Sequence, residues 1–343
     1  MKRLSLIYII CLLGYSPELF SQYKQIKRRD FFNEEGPIEM TLRTNLRSLI
    51  FSTKNPIYQQ ASISCRFSDS TLIKEQIRVK RRGQYRNQRC YLASLMLDFK
   101  NPSSPVLSPL KKLKWVGGCS KSSDDEQLLL KEYLIYRIYN LLTSMSFRVR
   151  LIKTGFQDSQ QKVKDYAQYS FLIEDIDALA KRNACKEKTG ISFHNENTER
   201  KQMTLLAIFQ YMIGNYDWSV PYYHNIKLLV PENDTMARPY PVPYDFDYTG
   251  LVNPPYADPP AEMGIHHITA RIYRGFPRTI EEIEASVALF IQNEDKILSI
   301  VKNADFLLDR NKKEMLDFLS EFFETIKNKK SLKRTFIDEA RSE

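Results

Sequence analysis

The apolar residues of this chain change their spacing once, and that change limits what it can fold into. Residues 37–115 read mostly as short strands. ASISCRF (Ala61–Phe67) and EQIRVKR (Glu75–Arg81) alternate, YLASLMLDF (Tyr91–Phe99) is apolar-rich and stops before Asn101-Pro102, and KKLKWV (Lys111–Val116) alternates again. Period two bounded by Gly, Pro and Asn marks strands. After Gly117-Gly118 the period becomes helical. Ser123 and Glu126 stand at capping-box spacing, so a hydroxyl and a carboxylate can satisfy the free N–H groups of a first turn. EQLLLKEYLIYRIYNLL then runs without a breaker to about Thr143, which predicts a long helix near 124–143.

Beyond it, Phe147–Thr154 and Tyr169–Ile173 read as strands, Lys181–Lys201 as a polar insertion, and Gln202–Tyr216 as an apolar helix. Asn225–Val230 and Tyr240–Tyr244 form two short strands around Pro231-Glu232-Asn233-Asp234. Amphipathic helices close the chain near 279–303, with Thr279 and Glu282 at capping-box spacing, and near 312–328. Strands early and helices late give an α+β order in two lobes: a strand-rich N-lobe over 22–176 and a helical C-lobe over 177–343. With 343 residues, 43% hydrophobic, the chain can bury a large core and is too apolar for disorder. No fixed-period repeat suggests a solenoid.

Met1–Gln22 reads as an address. Lys2 and Arg3 precede the apolar run Leu4–Leu13, which is too short to span a bilayer, and Ser21 offers a small residue for cleavage. A signal peptide over 1–21 is expected, with a product that is exported to the periplasm, cell surface or medium and carries no transmembrane segment. Removal of Cys11 leaves Cys65, Cys90, Cys119 and Cys185. Cys90–Cys119 is the preferred disulfide, since each lies at the edge of a strand-like segment, and free buried thiols are the alternative. The formal charge of +10, from 51 Lys+Arg against 41 Asp+Glu, is spread over a mixed surface. It selects no partner by itself, and nucleic acid is not expected as one. Arg78-Val79-Lys80-Arg81-Arg82 is its densest run.

Three clusters can carry chemistry: Gly214-Asn215-Tyr216-Asp217 after an apolar helix, His224-Asn225 at the start of a strand, and Asp245-Phe246-Asp247 at the end of the next. If the two strands pair as a hairpin, Asn225 and Asp245 fall at one open end and Asp217 can face the same space. One amide and two or three carboxylates suit Mg²⁺, a hard cation that keeps waters and shares phosphate ligands. His224, His266 and His267 read as structural, with no third zinc ligand in view.

LLLKEYLIYRIYNLL, YSFLIEDID, IGNYDWSVPYYHNIKLL and PVPYDFDYTG, in that order over residues 75–255, resemble the spore-coat CotH-like kinase family. The resemblance implies a two-lobed atypical protein-kinase-like fold and a phosphotransferase that uses Mg²⁺ and ATP to phosphorylate a protein or another hydroxyl acceptor. It implies Asp217 as the catalytic aspartate, Asn225 and Asp245 as metal ligands, and Asp247 as a further one. Lys114 matches the lysine that holds the phosphates. Glu132, whose helical neighbours are largely apolar, is the choice for its ion-pair partner, and Glu174 and Asp175 would lie near the adenine. The chain departs from ordinary kinases in three places. It has no GxGxxG loop, Arg82-Gly83-Gln84 being the nearest phosphate-covering turn. The Asp217-to-Asn225 interval is longer than Asp-x-x-x-x-Asn, and Asp-Phe-Asp stands where Asp-Phe-Gly is usual. Each residue also has an ordinary structural reading, and a non-enzymatic envelope or secreted interaction protein is the competing function. The sequence names neither acceptor nor oligomeric state.

Overall fold

A computed structural model describes residues 30–33, 36–51, 55–83, 90–92, 94–100, 102–259, 261 and 264–341. The expected signal peptide over 1–21, and Gln84 of the expected phosphate-covering turn, lie outside the described residues. In chain order the elements are β1 (Ile38–Thr44), α1 (Leu46–Phe51), β2 (Gln59–Arg66), β3 (Leu72–Arg81), β4 (Leu95–Asp98), β5 (Lys112–Gly117) and α2 (Ser123–Leu142). There follow β6 (Val149–Asp158), β7 (Tyr166–Ile173), α3 (Ile176–Arg182), β8 (Cys185–Glu187), α4 (Arg200–Met212), β9 (Ile226–Pro231) and β10 (Tyr240–Pro243). The chain ends in α5 (Ile280–Gln292), α6 (Glu294–Lys302), α7 (Asp309–Lys327) and α8 (Lys329–Lys333).

Seven strands close on themselves in the order β1-β2-β3-β4-β5-β7-β6. Each step from β1 round to β6 is antiparallel. Those six reversals return β6 to the direction of β1, so the closing seam must be parallel, and it is, from Ile38↔Ile152 to Thr44↔Asp158. Closure removes the exposed edges that an open sheet would carry. Inside, Trp115 lies edge-on to Phe156 with ring centroids 5.5 Å apart, packed with Ile152, Leu172, Leu97 and Val79. Trp115 Nε1 donates to Thr154 Oγ1 at 3.1 Å, and Thr154 shares a 2.6 Å hydrogen bond with Ser170, so these three buried polar side chains answer one another. Burial of each large apolar side chain here stabilises by roughly 1.5–3 kcal/mol.

The two-lobed kinase-like fold expected from the sequence is overturned by this architecture. The strands assigned to an N-lobe form a closed barrel, and among the described residues no separate helical lobe stands apart from it. Alternation gives β5, β6 and β7 a second apolar face: Val116, Val149, Leu151, Phe171 and Ile173 point outward. Helix α2 packs on that face and is covered in turn by α6. It is apolar nearly all round because it is buried on both sides. The same core continues through α4, β9 and α7, so the barrel's outer wall and the C-terminal helices are one body of packed side chains.

Ser122, one residue before the position expected, caps α2 by accepting from Asp125 N at 3.1 Å. Glu126 is thereby released to accept from Tyr169 N on β7 at 2.6 Å. The Thr279–Glu282 capping box forms on α5. The apolar stretch 279–303 is split into α5 and α6 at Asn293. Cys90 and Cys119 form a disulfide, while Cys65 and Cys185 are buried thiols; burial pushes Cys65 up to about 12. Among the described residues no helix is long and apolar enough to cross a membrane.

Candidate functional site

The site is assembled where the loop after α4 meets the segment after β10. Gly214 ends α4 at φ +63, a conformation that favours glycine, and a Cβ there would come within 3.3 Å of Gly250. Gly250 N donates to Gly214 O and Leu251 N to Ile213 O, both at 3.0 Å. The two glycines let these backbones touch, and so fix the Asp217 loop against the Asp245–Gly250 segment.

Asp217 is held from several sides. Its N–H donates to Asn215 Oδ1 at 2.8 Å. Its Oδ1 lies 2.6 Å from His224 Nε2, and its Oδ2 accepts from Asn225 Nδ2 at 3.0 Å. Asn225 Nδ2 also donates to Asp217 O at 2.8 Å. Residues Trp218 to His224 form a tight loop closed by the Ser219–His224 bridge, which absorbs the long interval between Asp217 and Asn225. Beneath it, Arg274 donates to the carbonyls of Tyr216 and Trp218 on either side of Asp217.

Asn225 and Asp245 face each other at the open end of the β9–β10 hairpin: Tyr244 N donates to Asn225 O at 3.0 Å, and Asp245 is the next residue. Both take positive φ, +52 and +65, a costly conformation that non-glycine residues keep only where their surroundings hold them there. Asp245 is held by Tyr136 of α2, whose hydroxyl accepts from Asp245 N at 2.8 Å. Burial, then the Glu132 and Asp245 carboxylates, push Tyr136 well above the ordinary tyrosine range. Phe246 anchors the segment with its ring 4.7 Å from Tyr136. The Asp245 carboxylate is exposed and Asp247 half-buried.

Lys114 reaches the same place from β5. Its ammonium lies 5.0 Å from the Tyr244 ring centre and 6.0 Å from that of Phe147. Burial, followed by the like charges of Arg82 and Lys227, pulls it down to about 8, against the opposing pull of Asp245 and Asp175. Among the described residues it forms no ion pair within 4 Å.

The structure brings Asp217, Asn225, Asp245 and Lys114 into one neighbourhood. It does not pair Lys114 with Glu132, which is buried in α2 and acts on Tyr136 instead. Glu174 is fully buried and clamped by Arg148 and Arg182, with contacts of 2.9 Å and 3.0 Å, so it ties the end of β7 to α3 rather than facing a ligand. Its neighbour Asp175 acts on Lys114, as Asp245 does. Burial, then the like charge of Asp177, raises its carboxyl against the pull of Lys114 and Lys111. Arg82 belongs here through its charge, and its neighbour Gly83 turns at φ +89. Sequence reasoning passed over Asp175 as an acid acting on Lys114, and Lys227 altogether. The N-cap position of Asp175 before α3 and the place of Lys227 in β9, just after Asn225, were the available signals.

Among the described residues no three His, Cys, Asp or Glu side chains gather closely enough to hold a metal. The oxygens at the end of the hairpin are those of the Asn225 amide, whose N–H₂ is taken up by Asp217, and of the Asp245 and Asp247 carboxylates. That donor set is too small for a protein-only cage but fits Mg²⁺, which completes its shell with water and substrate phosphates. No protein-family model and no curated protein matches the chain.

Proposed function

We propose that this protein is an exported phosphotransferase of the CotH-like kind, moving phosphate from Mg-ATP to a hydroxyl of a protein or another acceptor. The observation that carries the reading is the continuous path Asp217–Asn225–Tyr244–Asp245, with the Lys114 ammonium beside its end. It brings a hydrogen-bonded carboxylate, an amide, a second carboxylate and a cation together at the open end of the β9–β10 hairpin. That is the chemistry phosphoryl transfer requires, although the chain reaches it on a barrel rather than on two lobes. The Cys90–Cys119 disulfide supports an oxidising compartment.

In this reading Asp217 accepts the proton of the acceptor hydroxyl, and Asn225 and His224 fix the orientation of its carboxylate. Lys114 and Arg82 bind phosphate oxygens. Asn225, Asp245 and Asp247 would hold Mg²⁺, which when bound neutralises phosphate charge. Thermal unfolding with and without Mg-ATP tests the proposal: the midpoint should rise for the native protein and stay fixed in Asp245→Asn. Asp217→Asn should keep the shift yet lower transfer by about 10²-fold or more. A protein whose midpoint no nucleotide and metal can move is not this enzyme, and the reading as an interaction protein then gains.

A further inference from the structure

Strand β9 carries one feature that the proposed function does not use. Ile226 and Leu228 enter the core, and Lys227 between them lies across the hairpin from Val242, two residues before Tyr244. Lys227 is half-buried and its ammonium lies 2.8 Å from Glu187 Oε1 on β8. It also stands close enough to Lys114 and Tyr244 to act on both electrostatically. The Lys114 ammonium lies 5.0 Å from the Tyr244 ring centre, and Lys227 stands on the neighbouring strand across from Val242, so two lysines approach the end of the hairpin from β5 and β9, with the charge of Arg82 acting on Lys114.

Two lysines brought near one another in a partly desolvated place repel, and an anion between them lowers that energy. Asp245 and Asp175 oppose Lys114, and Glu187 meets Lys227. Glu187 is therefore the carboxylate that competes with an incoming anion for Lys227.

We infer that Lys227 is a third phosphate-binding residue beside Lys114 and Arg82, held in the resting protein by Glu187, so that the site takes a chain of at least two phosphates. This rests on reading the opening as a phosphate-handling site. The ordinary alternative is a cross-strand ion pair between β8 and β9 with no ligand role. The two make predictions of opposite sign. If Glu187 competes with the ligand, its removal strengthens binding; if the pair is only architecture, removing either partner weakens the fold and gains nothing.

Calorimetric titration of the full chain with inorganic pyrophosphate and, separately, with Mg-ATP distinguishes them. Lys227→Met should weaken both ligands by about tenfold or more, Lys227→Arg should restore most of that loss, and Glu187→Gln should bind both several-fold tighter than the native protein. Unchanged affinity in Lys227→Met overturns the inference, as does Glu187→Gln binding no tighter than the native protein. Pyrophosphate binding that depends on Lys227 without any Mg-ATP binding would keep this inference and remove the phosphotransferase reading. A native protein that binds neither ligand overturns both.

Discussion

Glu174 and Lys114 are near neighbours across the β5–β7 pairing, where Lys114 stands opposite Ile173, and they show two opposite treatments of a charge. Glu174 is wholly enclosed, and its carboxylate accepts from the guanidinium groups of Arg148 and Arg182. Arg182 in turn donates to the carbonyls of Ser144 and Ser146, so the cluster fastens the α2–β6 turn, β7 and α3 together. Lys114 is set against aromatic faces and other cations, with its opposing acids beyond ion-pair distance. A charge whose partners are complete is architecture. A charge pressed by like charges and left facing an opening is where a ligand can change the energy most.

The largest effect expected from breaking this contrast is at Glu174. Glu174→Gln leaves two guanidinium groups facing one another in a partly enclosed space and should cost about 3 kcal/mol in urea unfolding. Mg-ATP affinity, measured where the variant is still folded, should stay within about twofold of the native value. Lost nucleotide binding with unaltered unfolding would reverse the roles assigned to the two residues. Lys114→Met should do the converse: weaken Mg-ATP binding by about tenfold or more while leaving stability unchanged or raised, because it removes a cation that the fold holds at a disadvantage. An unfolding midpoint that drops sharply, with affinity intact, would make Lys114 the structural residue.

How far the sequence reaches follows the same division. The long helix, the β9–β10 hairpin and the grouping of Asp217, Asn225 and Asp245 were legible because each depends on local spacing. Alternation and breakers set the strands, and the hairpin fixes its own open end. Barrel closure was not legible. It depends on β1 meeting β6 along Ile38↔Ile152 and onward, a pairing between segments far apart in sequence that neither segment's pattern encodes. The two-lobed expectation failed there, since strands that look like an open sheet one by one leave no mark of joining at their ends. Glu174 and Asp175 were indistinguishable as adjacent acids. Only the positions of Arg148 and Arg182, brought in from the turn before β6 and from α3, decide which of them is enclosed. Glu132 was expected to answer Lys114 from an apolar helix face. The burial was real, but Tyr136 stands one turn on and receives its field.

The smallest effect is one of pH, and it belongs to Lys114 alone. Burial and its cationic neighbours hold Lys114 at about 8 in the folded chain, below its ordinary value of 10.5. Between those values the unfolded chain carries more protons than the folded one, so stability attributable to this group rises with pH across that window. Below about 8 the lysine is charged in both states and the disadvantage is fully present. The stability gap between the native protein and Lys114→Met should therefore narrow as pH goes from 7.5 toward 10, on the order of one kcal/mol or less because the side chain is only half-buried. Anion affinity moves the other way: it should fall above about 8 as the free protein's ammonium loses its proton, and Lys114→Met should show no such fall. Parallel pH profiles for the two proteins, in both unfolding and binding, would mean that Lys114 is solvated like any surface lysine and that the contrast with Glu174 is only one of burial.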